Sequence, residues 1–240
     1  FEVEYVKKII KKYKPNYIFT PKKYLEEIER KNKVIPLQNY NLIKTSYQKH
    51  KKIKNQNLLL LSTSGTTQNP KFVRLSNLNL ENNTKSIIKY LKIDSSHTTI
   101  TTMPMGYSYG LSIINTHLSS GSKIIITEKT VFDKDFWDIA KKYKITSFGG
   151  VPQFYEQLKK LKFENFNLLN LEYLSQAGGK LDNYFLKHFE KVCKKNKIKF
   201  IVMYGQTEAS PRMSYLAWNK FSEKIGSIGK ALDGSKFQIL

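Results

Sequence analysis

Residues Leu58–Val73 read LLLLSTSGTTQNPKFV. Four leucines predict a covered strand, because a short apolar run bounded by turn signals is how a buried strand looks. The chain then turns polar at once, through Ser62, Thr63, Ser64, Gly65, Thr66 and Thr67, and Pro70-Lys71 leads into a second strand at Phe72-Val73. Small hydroxyl residues around a glycine let several backbone N–H groups converge on one point. Such a nest suits an anion, and a nearby lysine adds a point charge for phosphate. The Walker-type loop does not fit, since it needs Gly-Lys followed by Ser or Thr at the start of a helix. Here Lys71 follows Pro70, which lacks a donor and favours an extended preceding residue. An ordinary Ser/Thr/Gly turn uses the same residue types, so this segment alone leaves both readings open.

A chain of 240 residues with 40% hydrophobic and 13% aromatic residues can bury a real core. The formal net charge of +22 invites a nucleic-acid or anionic-membrane reading. Against it, the lysines are spread along the whole sequence beside abundant Asn, Ile and Tyr, the signature of an AT-rich coding bias. No nucleic-acid-binding motif accompanies them, and the field favours anionic small molecules equally well. Cys193 is the only cysteine, which excludes a disulfide framework and a thiolate zinc site and points to the reducing cytoplasm. Its neighbours Phe189 and Val192 make it a buried structural thiol. No apolar run reaches membrane-spanning length. The chain starts at Phe1 without a signal-peptide pattern, as expected of a piece of a longer protein.

Strand and helix patterns alternate over most of the length. Val6, Ile9, Ile10 and Tyr13 predict a helix, Tyr17–Phe19 a strand and Tyr24–Lys33 a second helix, followed by a charged connector with a solvated basic run at His50–Lys54. Ser76–Leu91 carries a helical stripe of Leu80, Thr84, Ile87, Ile88 and Leu91. Strands are expected at Thr98–Met103, Lys123–Thr127, Ile145–Phe148, Leu171–Gln176 and Ile198–Met203. Between them lie helices ending at Gly121, spanning Phe132–Tyr143 with Phe132, Phe136, Ile139, Ala140 and Tyr143 inward, following Pro152, and running from an Asp182 N-cap to Lys195. Such alternation predicts an α/β fold with a largely parallel sheet flanked by helices. Ligands in such sheets sit at the carboxyl ends of the strands, where the Thr63–Lys71 loop, Gly150, Gly178-Gly179 and Tyr204–Glu208 all fall. His50, His97, His117 and His188 are too dispersed for a metal cluster or a catalytic triad and are expected at the surface or in caps.

The stretch Tyr204-Gly205-Gln206-Thr207-Glu208 follows the last of these strands. Gly205 at a strand end permits close approach of backbone to a flat ligand, and the Tyr204 ring offers a face for a base. Glu208 has the carboxylate that Mg²⁺ takes beside phosphate oxygens.

Together these segments resemble the adenylate-forming superfamily, which includes acyl-CoA synthetases and nonribosomal peptide adenylation domains. Thr63–Val73 resembles its Thr/Ser-Ser-Gly-Thr-Thr-Gly-x-Pro-Lys-Gly-Val signature, with Gln68 and Phe72 in place of two glycines, and Tyr204–Glu208 matches its Tyr-Gly-x-Thr-Glu motif throughout. Further likenesses follow in family order over about residues 16–240. Pro104–Leu111 is similar to the acyl-pocket segment, with Tyr107 where many members carry histidine. Val151-Pro152 is similar to the turn before a helix lining that pocket, Ala177–Leu181 to the loop beside adenine, and Gly226–Lys230 to the region after the Tyr-Gly motif.

The resemblance implies an enzyme that couples a small carboxylic acid to the α-phosphorus of ATP and passes the acyl group to a thiol, from CoA or the phosphopantetheine of an acyl carrier protein. It implies that Thr63, Ser64, Gly65, Thr66, Thr67 and Lys71 hold the β- and γ-phosphates. Gly178, Gly179, Lys180, Tyr204 and Gly205 would border the nucleotide, with Thr207 at the α-phosphate and Glu208 on Mg²⁺. Lys71, Thr207 and Glu208 are then the catalytic set, and Tyr107, Ser108, Gly150, Val151 and Gly178 line the acid site. Because Gly106–Tyr109 lacks the aspartate that pairs an α-amino group in amino-acid-activating members, the acid is expected to have no free α-amino group.

The family's ribose-binding Thr-Gly-Asp run, hinge and lysine-bearing mobile domain do not occur before Leu240. Residues 1–240 are therefore expected to be the central part of the large N-terminal domain, with little adenylation by that part alone. Two other readings stay open at this point. One is a nucleotide- or partner-binding module without chemistry. The other is a basic nucleic-acid-binding protein, which would show steep salt dependence of affinity.

Overall fold

Val6, Ile9 and Ile10 lie on one stripe of helix α1, Val3–Tyr13, and Ile10 is buried. The computed structural model describes residues 3–24, 28, 33–47, 59–63, 71–166 and 170–238. They belong to two units, Phe1–Lys54 and Asn55–Leu240. In the first, α1 is joined by strands β1 (Tyr17–Pro21), β2 (Lys33–Leu37) and β3 (Tyr40–Lys44), antiparallel in the order β1-β3-β2. Ile10, Ile28 and Ile43 form its small core. The expected charged connector is therefore in part a hairpin, turned at Gln38 with φ +48°. Its strand β2 is exposed throughout, so no alternation marks it. Pro36 is accommodated because β2 is an edge strand. Of the helix expected over Tyr24–Lys33, Ile28 is helical, Tyr24 ends a 3₁₀ turn and Lys33 already opens β2. The rest of that span, and the basic run at His50–Lys54, lie outside the described residues.

The second unit contains a seven-stranded sheet. Its strands are β6 (Thr98–Thr101), β7 (Lys123–Ile126), β8 (Ser147–Gly150), β9 (Tyr173–Gln176), β10 (Lys199–Gly205), β11 (Arg212–Leu216) and β12 (Lys230–Ala231), in the order β12-β11-β10-β9-β8-β6-β7. The four pairings from β10 to β7 are parallel, and β11 and β12 add antiparallel strands at one edge. Successive side chains of a strand point to opposite faces, and both faces here are covered. Ile100, Phe148, Leu174 and Phe200 sit in register across four strands. They share one core with Phe136, Tyr155 and Phe189 of helices α4 (Lys134–Lys142), α5 (Pro152–Lys160) and α6 (Asn183–Lys195). Tyr173, Ile201 and Met203 face the other way, against Ile87 and Leu91 of α2 (Asn77–Leu91) and Tyr109 and Ile113 of α3 (Ser108–Ser119). Helix α2 starts in a capping box, where Ser76 Oγ accepts from Asn79 N–H and Asn79 Oδ1 accepts from Ser76 N–H. Asp182 caps α6 as expected, accepting from Tyr184 N–H.

The four-leucine run corrects one expectation. Among the described residues, strand β4 (Leu59–Ser62) pairs only with β5 (Phe72–Leu75), as an antiparallel hairpin outside the large sheet. Leu61 is buried, but Leu60 is 40% exposed, so this is a half-covered ribbon rather than a strand buried on both faces. A second correction concerns Phe132 and Tyr143, which are exposed. Trp137 takes their place inside, its Nε1–H donating to Val131 O at 2.7 Å. Cys193 is buried as expected, and burial pushes its thiol up to about 12. Among the described residues no helix is long and apolar enough to cross a membrane.

The histidines are a third correction. His97 and His117 are buried, and His188 is half-buried; His50 lies outside the described residues. His97 does serve a turn, its Nδ1 accepting from Asp94 N–H. His117, 3% exposed, places Nδ1 2.8 Å from Ile113 O and leaves Nε2 without a partner among the described residues. Burial pushes its pKa from 6.5 down to about 4. The ring is thus neutral in the folded protein over a range where the unfolded chain takes up a proton. Stability from this group is complete above pH 6.5 and falls as the pH drops towards 4, by up to a few kcal/mol, at about 1.4 kcal/mol per unit. Urea denaturation at pH 7.5 and pH 4.5 should show a smaller acid loss in His117→Gln than in the parent. An equal loss in both would contradict this assignment.

Candidate functional site

At the carboxyl ends of the parallel strands lies a cleft of about 970 Å³. It opens beyond the ends of β9 and β10, beside the start of α3. Strand β9 runs into Ala177-Gly178-Gly179, β10 into Tyr204–Glu208, and β6 into the Met103–Tyr107 turn before α3. All three segments contribute to the wall.

The β9 loop is shaped by a glycine and a glutamine. Gly178 has φ +81°, a left-handed conformation that glycine adopts readily, and a Cβ there would lie 2.4 Å from Tyr107 Oη. Gln176 is buried, and its Nε2–H₂ donates to Gly179 O at 2.8 Å and Ala177 O at 3.3 Å, which fixes the loop's carbonyls. The β10 loop is set by a bulge between Tyr204 and Gly205. A Cβ on Gly205 would stand only 1.7 Å from Pro211 O. The bulge turns the Tyr204 ring outward, 41% exposed within the cleft. Thr207–Ala209 then form a 3₁₀ turn that ends at Ser210 with φ +68°. Thr207 Oγ1 lies 3.1 Å from Ser108 Oγ at the start of α3, so two separate segments share one hydroxyl pair. Glu208 is exposed at the same rim and makes no ion pair among the described residues.

Of the residues anticipated, Thr63, Tyr107, Ser108, Gly178, Gly179, Lys180, Tyr204, Gly205, Thr207 and Glu208 all line this cleft. Gly150 and Val151 do not; they stand behind the β9 loop. Gly150 O accepts from Ala177 N–H at 3.2 Å, and Val151 Cγ1 would be 3.0 Å from a Cβ on Gly178. Lys71 sits at the base of the β4–β5 hairpin, where its carbonyl accepts from Thr63 N–H and Oγ1–H. Ser64, Gly65, Thr66 and Thr67 lie outside the described residues.

Sequence reasoning passed over Gln176, Tyr109 and Arg212. Tyr109 is buried, with its hydroxyl 3.0 Å from Ser175 O and 2.9 Å from Ser175 Oγ, in space left by the missing side chain of Gly149. Arg212, on β11, lines the cleft although it is only 4% exposed. One signal was present in the sequence. The chain has three arginines, Arg30, Arg74 and Arg212, against 38 lysines. Arginine and lysine are not interchangeable where a planar, forked donor is needed, so each of the three is worth locating.

A family model of AMP-binding enzymes matches residues 2–240, nearly the whole chain. The chain belongs to the AMP-binding enzyme family. Within it, the protein is 29% identical over 184 residues to the acyl-CoA ligase sidI of Aspergillus fumigatus, covering 74% of this chain and 30% of that protein. It is 28% identical over 190 residues to the oxalate–CoA ligase of Arabidopsis thaliana, covering 76% and 36%. The protein thus spans well under half the length of these family members. Among solved structures it is similar to the inhibitor-bound N-terminal domain of FACL13 from Mycobacterium tuberculosis. The TM-score is 0.66 at 19% identity, covering 78% of this chain and 46% of that one. That likeness establishes the α/β architecture with its mostly parallel sheet.

Proposed function

We propose that residues 1–240 form part of the large N-terminal domain of an AMP-forming acid–thiol ligase, and that the cleft at the strand ends holds ATP and the acid. The observation that carries this reading is the convergence of Tyr204, Thr207 and Glu208 with Ser108 and the Gly178-Gly179 loop around one cavity. The exposed Tyr204 ring offers a stacking face for adenine, and the Gly178–Lys180 loop, with no bulk at its tip, borders the base. The Thr207–Ser108 hydroxyl pair faces the α-phosphate, and Thr63 and Lys71 serve the β- and γ-phosphates. The acid lies against Tyr107, Ser108 and Gly178, with Gly150 and Val151 supporting that wall from behind.

The reaction joins a carboxylate oxygen to the α-phosphorus and releases pyrophosphate. A thiol of CoA, or of carrier-protein phosphopantetheine, then displaces AMP from the acyl carbon. Both reactants begin as anions, so the protein's work is to orient the carboxylate in line and to offset negative charge. Glu208 suits Mg²⁺: its carboxylate is exposed and unpaired among the described residues, and a hydroxyl is its neighbour at Thr207, an all-oxygen donor set. A bound Mg²⁺ would neutralise phosphate charge. The relatives are named for acids such as oxalate, indoleacetate and 2-succinylbenzoate. Gly106-Tyr107-Ser108-Tyr109 contains no carboxylate to pair an α-amino group, in keeping with acids of that kind.

ATP–pyrophosphate exchange by the protein that contains this chain, screened over carboxylic acids, is the test. Exchange dependent on an acid without an α-amino group is expected. Exchange with amino acids alone, or with no acid at all, would overturn the reading.

A further inference from the structure

Arg212 is a buried cation. Among the described residues it forms no ion pair. Its Nη1–H₂ donates to Tyr90 Oη at 3.0 Å and to Met203 Sδ at 3.2 Å, the second a weak acceptor. Its Nε–H is buried and has no acceptor among the described residues. The Tyr109 ring lies 5.1 Å from Cζ and supplies a cation–π contact, which offsets only part of the desolvation. Buried polar groups are nearly always satisfied, and a charge kept in such a place without a partner costs stability. Methionine or leucine would fill the same space at lower cost. Yet this side chain also borders the 970 Å³ cleft, and the ring it stacks on belongs to the first turn of α3, directly after Tyr107 and Ser108.

We infer that Arg212 is a specificity-determining residue of the acid pocket, and that the acid carries a second anionic group, as in a dicarboxylic acid. The inference rests on the function proposed above and adds the class of acid. The reacting carboxylate meets ATP, while the far carboxylate takes the place of the missing counter-ion. A guanidinium offers a carboxylate two parallel hydrogen bonds, through its unpaired Nε–H and a neighbouring Nη–H, which an ammonium cannot match. The pocket therefore rejects monocarboxylic acids of equal length, because they leave the buried charge bare.

The experiment is calorimetric titration of the protein with succinate and glutarate, and with butyrate and valerate as length-matched monoacids, each in the presence of Mg²⁺ and ATP. A preference for the diacids of at least about tenfold is expected, together with its loss in Arg212→Met. Arg212→Lys, which keeps charge but not the fork, should fall between. ATP affinity should stay within roughly twofold in Arg212→Met, and the thermal midpoint of the unliganded variant should be unchanged or higher, because an uncompensated charge has been removed. A purely structural arginine would lower that midpoint and leave acid preference untouched. Equal affinity for diacids and monoacids in the parent overturns the inference even if Arg212→Met fails to fold. So does a parallel loss of ATP affinity in the variant, which would place Arg212 on the phosphates. Absence of ATP binding by the parent would instead overturn the function proposed above.

Discussion

Gly205→Ala is expected to lower stability by about 1–3 kcal/mol and to weaken ATP binding at least about tenfold. The reason is local. Gly205 sits at the bulge where β10 leaves its register with β11, and its Cα faces the opposite main chain so closely that a Cβ would be 1.7 Å from Pro211 O and 2.8 Å from Arg212 Cα. Those neighbours are backbone, so no side chain can rotate away. Relief requires the β10–β11 pair to separate at the point that presents Tyr204, Thr207 and Glu208 to the cleft. Two readouts follow, a lower thermal midpoint and a weaker nucleotide response. Gly106→Ala is the control, since a Cβ there meets nothing within 4 Å. Parent-like ATP affinity in Gly205→Ala would show that the bulge does not position the nucleotide-facing residues.

Glu208→Gln is expected to remove most of the Mg²⁺ dependence of ATP binding while leaving the unliganded fold intact. Glu208 is exposed and holds no partner among the described residues, so its neutral isostere should change stability by no more than about 0.5 kcal/mol. Losing one charged oxygen ligand to the cation costs about 1.5–3 kcal/mol, or roughly tenfold to a hundredfold in affinity. Titrating ATP with and without Mg²⁺ separates the two effects. The variant in Mg²⁺ should behave as the parent does without it. If both proteins gain equally from Mg²⁺, the cation is held elsewhere.

The parts of this molecule that could be read from its sequence are those where meaning lies in consecutive residues. Tyr204–Glu208 and Ala177–Lys180 each lie at the end of a strand, so their position at one end of a parallel sheet follows from chain order. The helices α2, α3 and α6 declare themselves through apolar spacing and their Ser76, Gly121 and Asp182 boundaries. What escaped was decided by contacts distant in sequence. Strand β11, Arg212–Leu216, turns Arg212, Ser214 and Leu216 inward and leaves Met213 and Tyr215 partly exposed. Two polar residues on the buried side invert the period-2 signal that marks a strand. Leu59–Leu61 failed in the opposite sense, because apolarity does not reveal whether a hairpin is covered on one face or two. His117 and Arg212 are polar residues at positions where packing, not local pattern, sets burial.

The most direct test is backbone amide NMR of the isotope-labelled protein titrated with Mg²⁺ and ATP. Saturable shifts concentrated at Gly178, Gly179, Tyr204, Gly205 and Thr207, reversed in competition by AMP, are the predicted result. Absence of saturable binding, or shifts centred away from the strand ends of the large sheet, would contradict the assignment of this cleft to the nucleotide.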